Sequence, residues 1–180
     1  RQPLSDSPAN WDLAYEPVQF ESLLDEQPVM LHGWFIPTEG NRQGNSSTVV
    51  IVHGRGGNRH SHEAVPELTS LFVKRGYNVL LFDLRGHGTS EGDRFSLGYF
   101  EQWDVLGAIR YLRQTKQLTG DIGLMGFSMG AASVILATDN TNDVGAVISD
   151  SGFARLRPII DDKLPGESPL PNWIYSMTPL

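Results

Sequence analysis

The residues best suited to chemistry are those of Gly126-Phe-Ser-Met-Gly130, where Ser128 stands between two glycines at G-x-S-x-G spacing. A serine alcohol becomes a useful nucleophile only if a base takes its proton and nearby donors stabilise the oxyanion it creates. The position of the motif meets part of that need. It follows a strand read over 121–125 and precedes a helix read over 129–138, so Ser128 is expected at a sharp strand-to-helix turn. Glycines at 126 and 130 remove the β-carbons that would collide there. The new helix aims unpaired N–H groups at the same point, which makes the Met129 amide a candidate oxyanion donor. The same five residues also fit two turn glycines around a serine that merely caps a helix.

Two further Gly-rich stretches follow strands. In His53-Gly-Arg-Gly-Gly-Asn58 the glycines let the backbone approach a ligand, and the main-chain N–H of Arg55 is the candidate second oxyanion donor, with His53 bracing the loop. A Gly-rich turn without a ligand is the alternative; the position also allows the Arg55 guanidinium to stand at the cleft rim. Asp83-Leu-Arg-Gly-His-Gly-Thr-Ser-Glu-Gly92 contains Asp83, Arg85 and His87. They could form an acid–base pair, but a histidine between glycines in a tight turn favours scaffolding with local hydrogen bonds. Asp150 follows the last clear strand, at the strand end where open α/β sheets place their sites, and is a candidate acid.

These residues need a frame. Stretches 18–24 and 29–36 alternate partly and read as an antiparallel hairpin. Continuous apolar runs at 48–52 and 78–82 read as strands buried on both faces, and 144–149 as another. Helices are expected over 62–75, with Gly76 just past the end, and over 97–115. Strand–helix–strand alternation of this kind implies an α/β fold: a mostly parallel sheet with helices on both faces. Residues 1–14 read as a flexible lead-in, 15–153 as the core, and 154–180 as a connecting segment or the start of a cap.

With 180 residues, 39% of them hydrophobic, the chain suits one globular core. A net charge of −7 with no basic run argues against a nucleic-acid partner, and a small or neutral substrate is expected instead. No cysteine is present, which excludes thiolate chemistry and leaves the redox compartment open. His60 and His62 read as part of a solvated loop, with neither a metal nor any other cofactor expected. No apolar stretch approaches the ~18 residues that cross a bilayer, and no signal peptide is visible. The sequence starts at Arg1, so the compartment is left undetermined.

In the stretches V-I-V-H-G-R-G-G-N-R (50–59), F-D-L-R-G-H-G-T-S-E-G (82–92) and G-L-M-G-F-S-M-G-A (123–131), the chain resembles the α/β-hydrolase superfamily. Within it the likeness is to serine hydrolases of the esterase, monoglyceride-lipase and serine-aminopeptidase-like type. The resemblance implies the α/β-hydrolase fold, Ser128 as nucleophile, the Met129 and Arg55 amides as the oxyanion hole, and acyl transfer through a covalent ester. It also implies a triad in chain order Ser, acid, His. No histidine follows His87, so the histidine, the usual acid and the last strands of the sheet are expected beyond Leu180. A peptidase, a thioesterase or a non-catalytic binding relative of the same fold shares these motifs. A dehalogenase would need a carboxylate at position 128. The strand at 144–149 is apolar on both faces with no recognisable strand after it, so it is expected to present an edge for the protein's own C-terminal portion or for a second copy.

Overall fold

The computed structural model describes residues 4–24, 28–38, 45–153 and 155. Six strands form one sheet: β1 (Glu16–Glu21), β2 (Met30–Ile36), β3 (Thr48–Val52), β4 (Asn78–Phe82), β5 (Ile122–Phe127) and β6 (Val144–Asp150). They lie in the order β1-β2-β4-β3-β5-β6. β1 pairs antiparallel with β2, and β2 antiparallel with β4. β4, β3, β5 and β6 run parallel. Every residue of β3 and β4 is buried, as their uninterrupted apolar runs require of strands covered on both faces.

Alternation along the strands sorts the core into two layers. Val50, Val52, Leu80, Phe82, Ile122 and Leu124 face α2 (Glu101–Arg110) and α3 (Met129–Thr138). Val49, Ile51, Val79, Leu81, Met125 and Phe127 face α1 (Val65–Lys74). The parallel strands therefore end along a single rim, and the loops after β3, β4, β5 and β6 converge there, the location of ligand sites in open α/β sheets.

Three expectations are corrected. Residues 4–13 are no loose lead-in: Pro8–Trp11 forms a 3₁₀ turn, the Trp11 indole donates to Asp6 at 2.8 Å, and Leu4, Trp11 and Leu13 pack on the α1-side core. Trp11 meets Trp34 edge to face at 6.2 Å, an apolar anchor that the polar character of the segment conceals. The helix expected from 97 starts at Glu101, because Leu97 (φ 57°) and Gly98 (φ 122°) hold left-handed backbone that a right-handed helix excludes. Its far end widens into a π turn over Tyr111–Thr115. β5 extends through Phe127, two residues beyond expectation, so the strand reaches Ser128 directly.

β6 lies at the sheet margin, with Val147 39% and Ile148 48% exposed on opposite faces. The segment expected over 154–180 falls outside the described residues, Arg155 apart. Among the described residues, no helix is long and apolar enough to cross a membrane.

Candidate active site

Ser128 is the single residue between β5 and α3, and its backbone is forced into φ 52°, ψ −112°. That pair lies outside the regions open to an L-residue. The neighbouring chain holds it there. Its N–H donates to the Asp150 carbonyl at 2.9 Å and its own carbonyl accepts from Ala132 N–H at 3.2 Å. A β-carbon on Gly126 would collide with the Gly130 carbonyl, and one on Gly130 with the carbonyls of Val52 and His53. Only glycine at both positions lets the turn close this tightly. The side chain of Ser128 makes no capping bond, and the residue is exposed. Met129 is the first residue of α3, so its N–H has no acceptor within the helix.

The loop after β3 meets this turn. A β-carbon at Gly54 would lie 3.4 Å from Ser128 Cβ, which places the start of the 54–57 turn against the serine. Gly57 N–H closes that turn on the Gly54 carbonyl at 3.3 Å. Arg55 is its exposed second residue, at the same rim as Ser128. The Arg55 and Met129 amides are thus on the elements that flank the serine.

The loop is held by a buried polar framework. The His53 Nδ1–H donates to the Gly54 carbonyl at 2.7 Å, and Nε2 accepts Leu84 N–H at 3.0 Å. With both ring nitrogens used and the ring 3% exposed, burial drives its pKa down to about 4, so His53 is neutral at ordinary pH. Asp83 accepts from Arg59 N–H at 2.7 Å, the Arg59 guanidinium at 2.6 Å and Thr89 N–H at 2.8 Å. Burial by itself would raise the Asp83 carboxyl, but the Arg59 bond and charge outweigh it and hold the pKa below the ordinary value. Arg85 forks onto Asp104 of α2, with Nη2–Oδ1 at 2.7 Å and its own N–H on Oδ2 at 2.9 Å. His87 donates from Nδ1 to the Arg85 carbonyl at 2.8 Å and accepts Gly56 N–H on Nε2 at 3.1 Å. The pairs Asp83–Arg59 and Arg85–Asp104 are local and structural, and neither histidine meets Ser128.

Asp150 is present at the rim in a different capacity. Its carbonyl anchors the Ser128 amide, whereas its exposed carboxylate accepts from the Ser151 hydroxyl at 2.8 Å. Sequence reasoning missed two aromatic contacts on the elements around this rim. His62 stacks on Phe127 at 3.9 Å and 15°, and Phe95 packs against His87 at 5.3 Å while 44% exposed. Nor is the His60 to His62 stretch a solvated loop, since both rings are half-buried and His60 stacks on Trp34 at 5.8 Å. No periodicity marks such contacts; an aromatic residue inside the serine motif was the only hint.

A mostly parallel sheet entered by an antiparallel hairpin, with a serine at a strained turn between strand and helix, is the architecture of α/β hydrolases. The family model for the alpha/beta hydrolase fold matches residues 47–177, and the chain belongs to that family. Among curated proteins, it is 33% identical over 159 residues to the uncharacterised protein YfhR of Salmonella typhimurium, covering 81% of this chain and 53% of that protein. Among solved structures, it superposes on the Pyrococcus furiosus esterase Pf2001 with TM-score 0.79 and 28% identity, over 98% of this chain and 63% of that one. Est1E of Butyrivibrio proteoclasticus, solved with ferulic acid, shares the fold at TM-score 0.66 and 22% identity, over 79% of this chain and 55% of that one. The chain thus spans about half the length of the curated relatives it matches.

Proposed function

We propose that the intact protein is a serine hydrolase that cleaves an ester or related acyl bond through an acyl-enzyme at Ser128. The observation that carries this reading is the Ser128 backbone, kept at φ 52°, ψ −112° by glycines that no other residue could replace. A serine that only capped α3 would need neither the strain nor the exposed side chain, and it makes no capping bond. The likeness to the P. furiosus esterase favours an ester over an amide.

In this scheme Ser128 Oγ attacks the acyl carbon while a histidine takes its proton. The oxyanion is met by the Arg55 and Met129 N–H groups, the bond to the leaving alcohol breaks with return of that proton, and water then releases the acid by the same steps. Neither His53 nor His87 is placed to act as the base, since both rings are buried and have each nitrogen engaged in a hydrogen bond away from Ser128. The base, and the acid that orients it, are assigned to residues after Leu180 in the intact protein.

Pre-steady-state hydrolysis of p-nitrophenyl butyrate by the intact protein should show a burst of p-nitrophenol, with a mass increase of one butyryl group on the peptide containing Ser128. Ser128→Ala should remove both. Hydrolysis that persists in that variant at the wild-type rate would contradict the proposal.

A further inference from the structure

The hydrogen bonds around His87 carry an assignment beyond scaffolding. The ring is 4% exposed, and Nδ1 lies 2.8 Å from the Arg85 carbonyl. A carbonyl can only accept, so the proton must be on Nδ1, and Nε2 is left with a lone pair. That lone pair receives Gly56 N–H at 3.1 Å. The other end of the chain of bonds is fixed as well, because Arg85 is clamped to the Asp104 carboxylate of α2 through its guanidinium and its own N–H. A sequence of bonds therefore runs from α2 through Arg85 and His87 to the backbone beside Ser128.

Gly56 N–H belongs to the central peptide of the 54–57 turn. A closing bond from Gly57 N–H to the Gly54 carbonyl and φ 75° at Gly56 give the type II pattern. The competing type I turn differs by a flip of that central peptide. A flip would withdraw Gly56 N–H from His87 and swing the Arg55 carbonyl oxygen toward the Nε2 lone pair, which repels it. The His87 ring thus selects one orientation of the 55–56 peptide, and Arg55 N–H, the candidate oxyanion donor, lies one peptide earlier. Gly54, at the start of the same turn, is already packed against Ser128.

We propose that His87 is a positioning residue for the oxyanion hole: its Nε2 acceptor locks the Arg55–Gly56 peptide so that Arg55 N–H is aimed at the transition state formed on Ser128. This role rests on Ser128 being the nucleophile. It exchanges no proton with substrate, so what it supplies is geometry at the moment charge develops.

The test compares His87→Phe, which keeps a ring for the contacts with His53 and Phe95 but has no acceptor, with His87→Gln, whose amide oxygen can take the Gly56 N–H, both in the intact protein. Full loss of an oxyanion donor costs about 10²–10³ in kcat, so a donor left in place but misaimed should cost about 10–100-fold, with KM unchanged. Affinity for a trifluoromethyl ketone, which mimics the oxyanion, should fall in parallel in His87→Phe and recover in His87→Gln. Wild-type rates and ketone affinity in folded His87→Phe, or losses in His87→Gln as large as in His87→Phe, would overturn the assignment. Independently of any variant, ¹⁵N spectra of the wild-type histidines should show His87 protonated on Nδ1 and bare on Nε2; the opposite tautomer overturns it as well. Ser128→Ala separates the two ideas. Activity retained there defeats the Ser128 reading, whereas activity lost there but kept in His87→Phe defeats only the role of His87.

Discussion

Replacing Ser128 by glycine should stabilise the protein, although it destroys the proposed nucleophile. At φ 52°, ψ −112° the residue occupies the mirror image of the extended region, which glycine enters without steric cost and an L-residue does not. Strain of this kind costs about 1–3 kcal/mol, and the extra freedom of glycine in the unfolded chain returns about 0.5–1 kcal/mol. The net gain spans about 0–2.5 kcal/mol and centres near 1 kcal/mol. Ser128→Ala is the proper reference, because it removes the hydroxyl, which caps nothing, yet keeps the β-carbon and therefore the strain. At about 2–4 °C per kcal/mol for domains of 150–250 residues, the glycine variant should melt about 2–5 °C above the alanine variant. Urea unfolding followed by tryptophan fluorescence should give the same order. A glycine variant no more stable than the alanine variant would show that the turn is not strained and would remove the main ground for reading Ser128 as more than a cap.

Acid should act in two windows. His53 keeps a pKa of about 4 when folded against 6.5 when free, so the unfolded chain binds the extra proton between those values. Stability is therefore lost as pH falls from 6.5 to 4, by about 3 kcal/mol at most, and His53→Gln should flatten that segment of a pH-dependent urea series. Asp83 is shifted in the same direction but lower on the pH scale: its folded pKa lies below 3.8, so its contribution is present above that value and is lost only as pH falls below it, where Asp83→Asn should weaken the dependence. Asp150→Asn in the intact protein should lower kcat less than about 10-fold, since its carboxylate is engaged with Ser151; a loss near the ~10⁴ that follows removal of a triad carboxylate would make it the acid. A polypeptide of residues 1–180 by itself should hydrolyse no ester and should associate through β6, whose Val147 and Ile148 are exposed. A monomer of 19.9 kDa by size-exclusion chromatography would contradict the association.

Much of the fold is legible because its burial pattern is uncompromising. β3 and β4 are buried throughout and apolar after Thr48 and Asn78, so 48–52 and 78–82 read with the observed limits, as does α3 after its glycine turn. The second helix reads four residues too early, since Leu97 and Phe100 continue its spacing while φ 57° at Leu97 leaves no trace in composition. Residues 4–13 look loose because Leu4, Trp11 and Leu13 anchor them at irregular spacing, which has no helical or strand period. The serine and its glycines are readable because steric exclusion at a tight turn is written in residue type. The partners of His87 are not: which nitrogen accepts, and from which N–H, depends on how two loops meet across 31 positions of sequence.

The most direct test of the account is to treat the intact protein with a fluorophosphonate, whose phosphonyl oxygen occupies an oxyanion hole once a serine attacks phosphorus, and to map the adduct by peptide mass spectrometry. A single adduct on Ser128, absent from Ser128→Ala, is the predicted result. An adduct on any other residue, or undiminished labelling of Ser128→Ala, would contradict the central claim that Ser128 is the nucleophile.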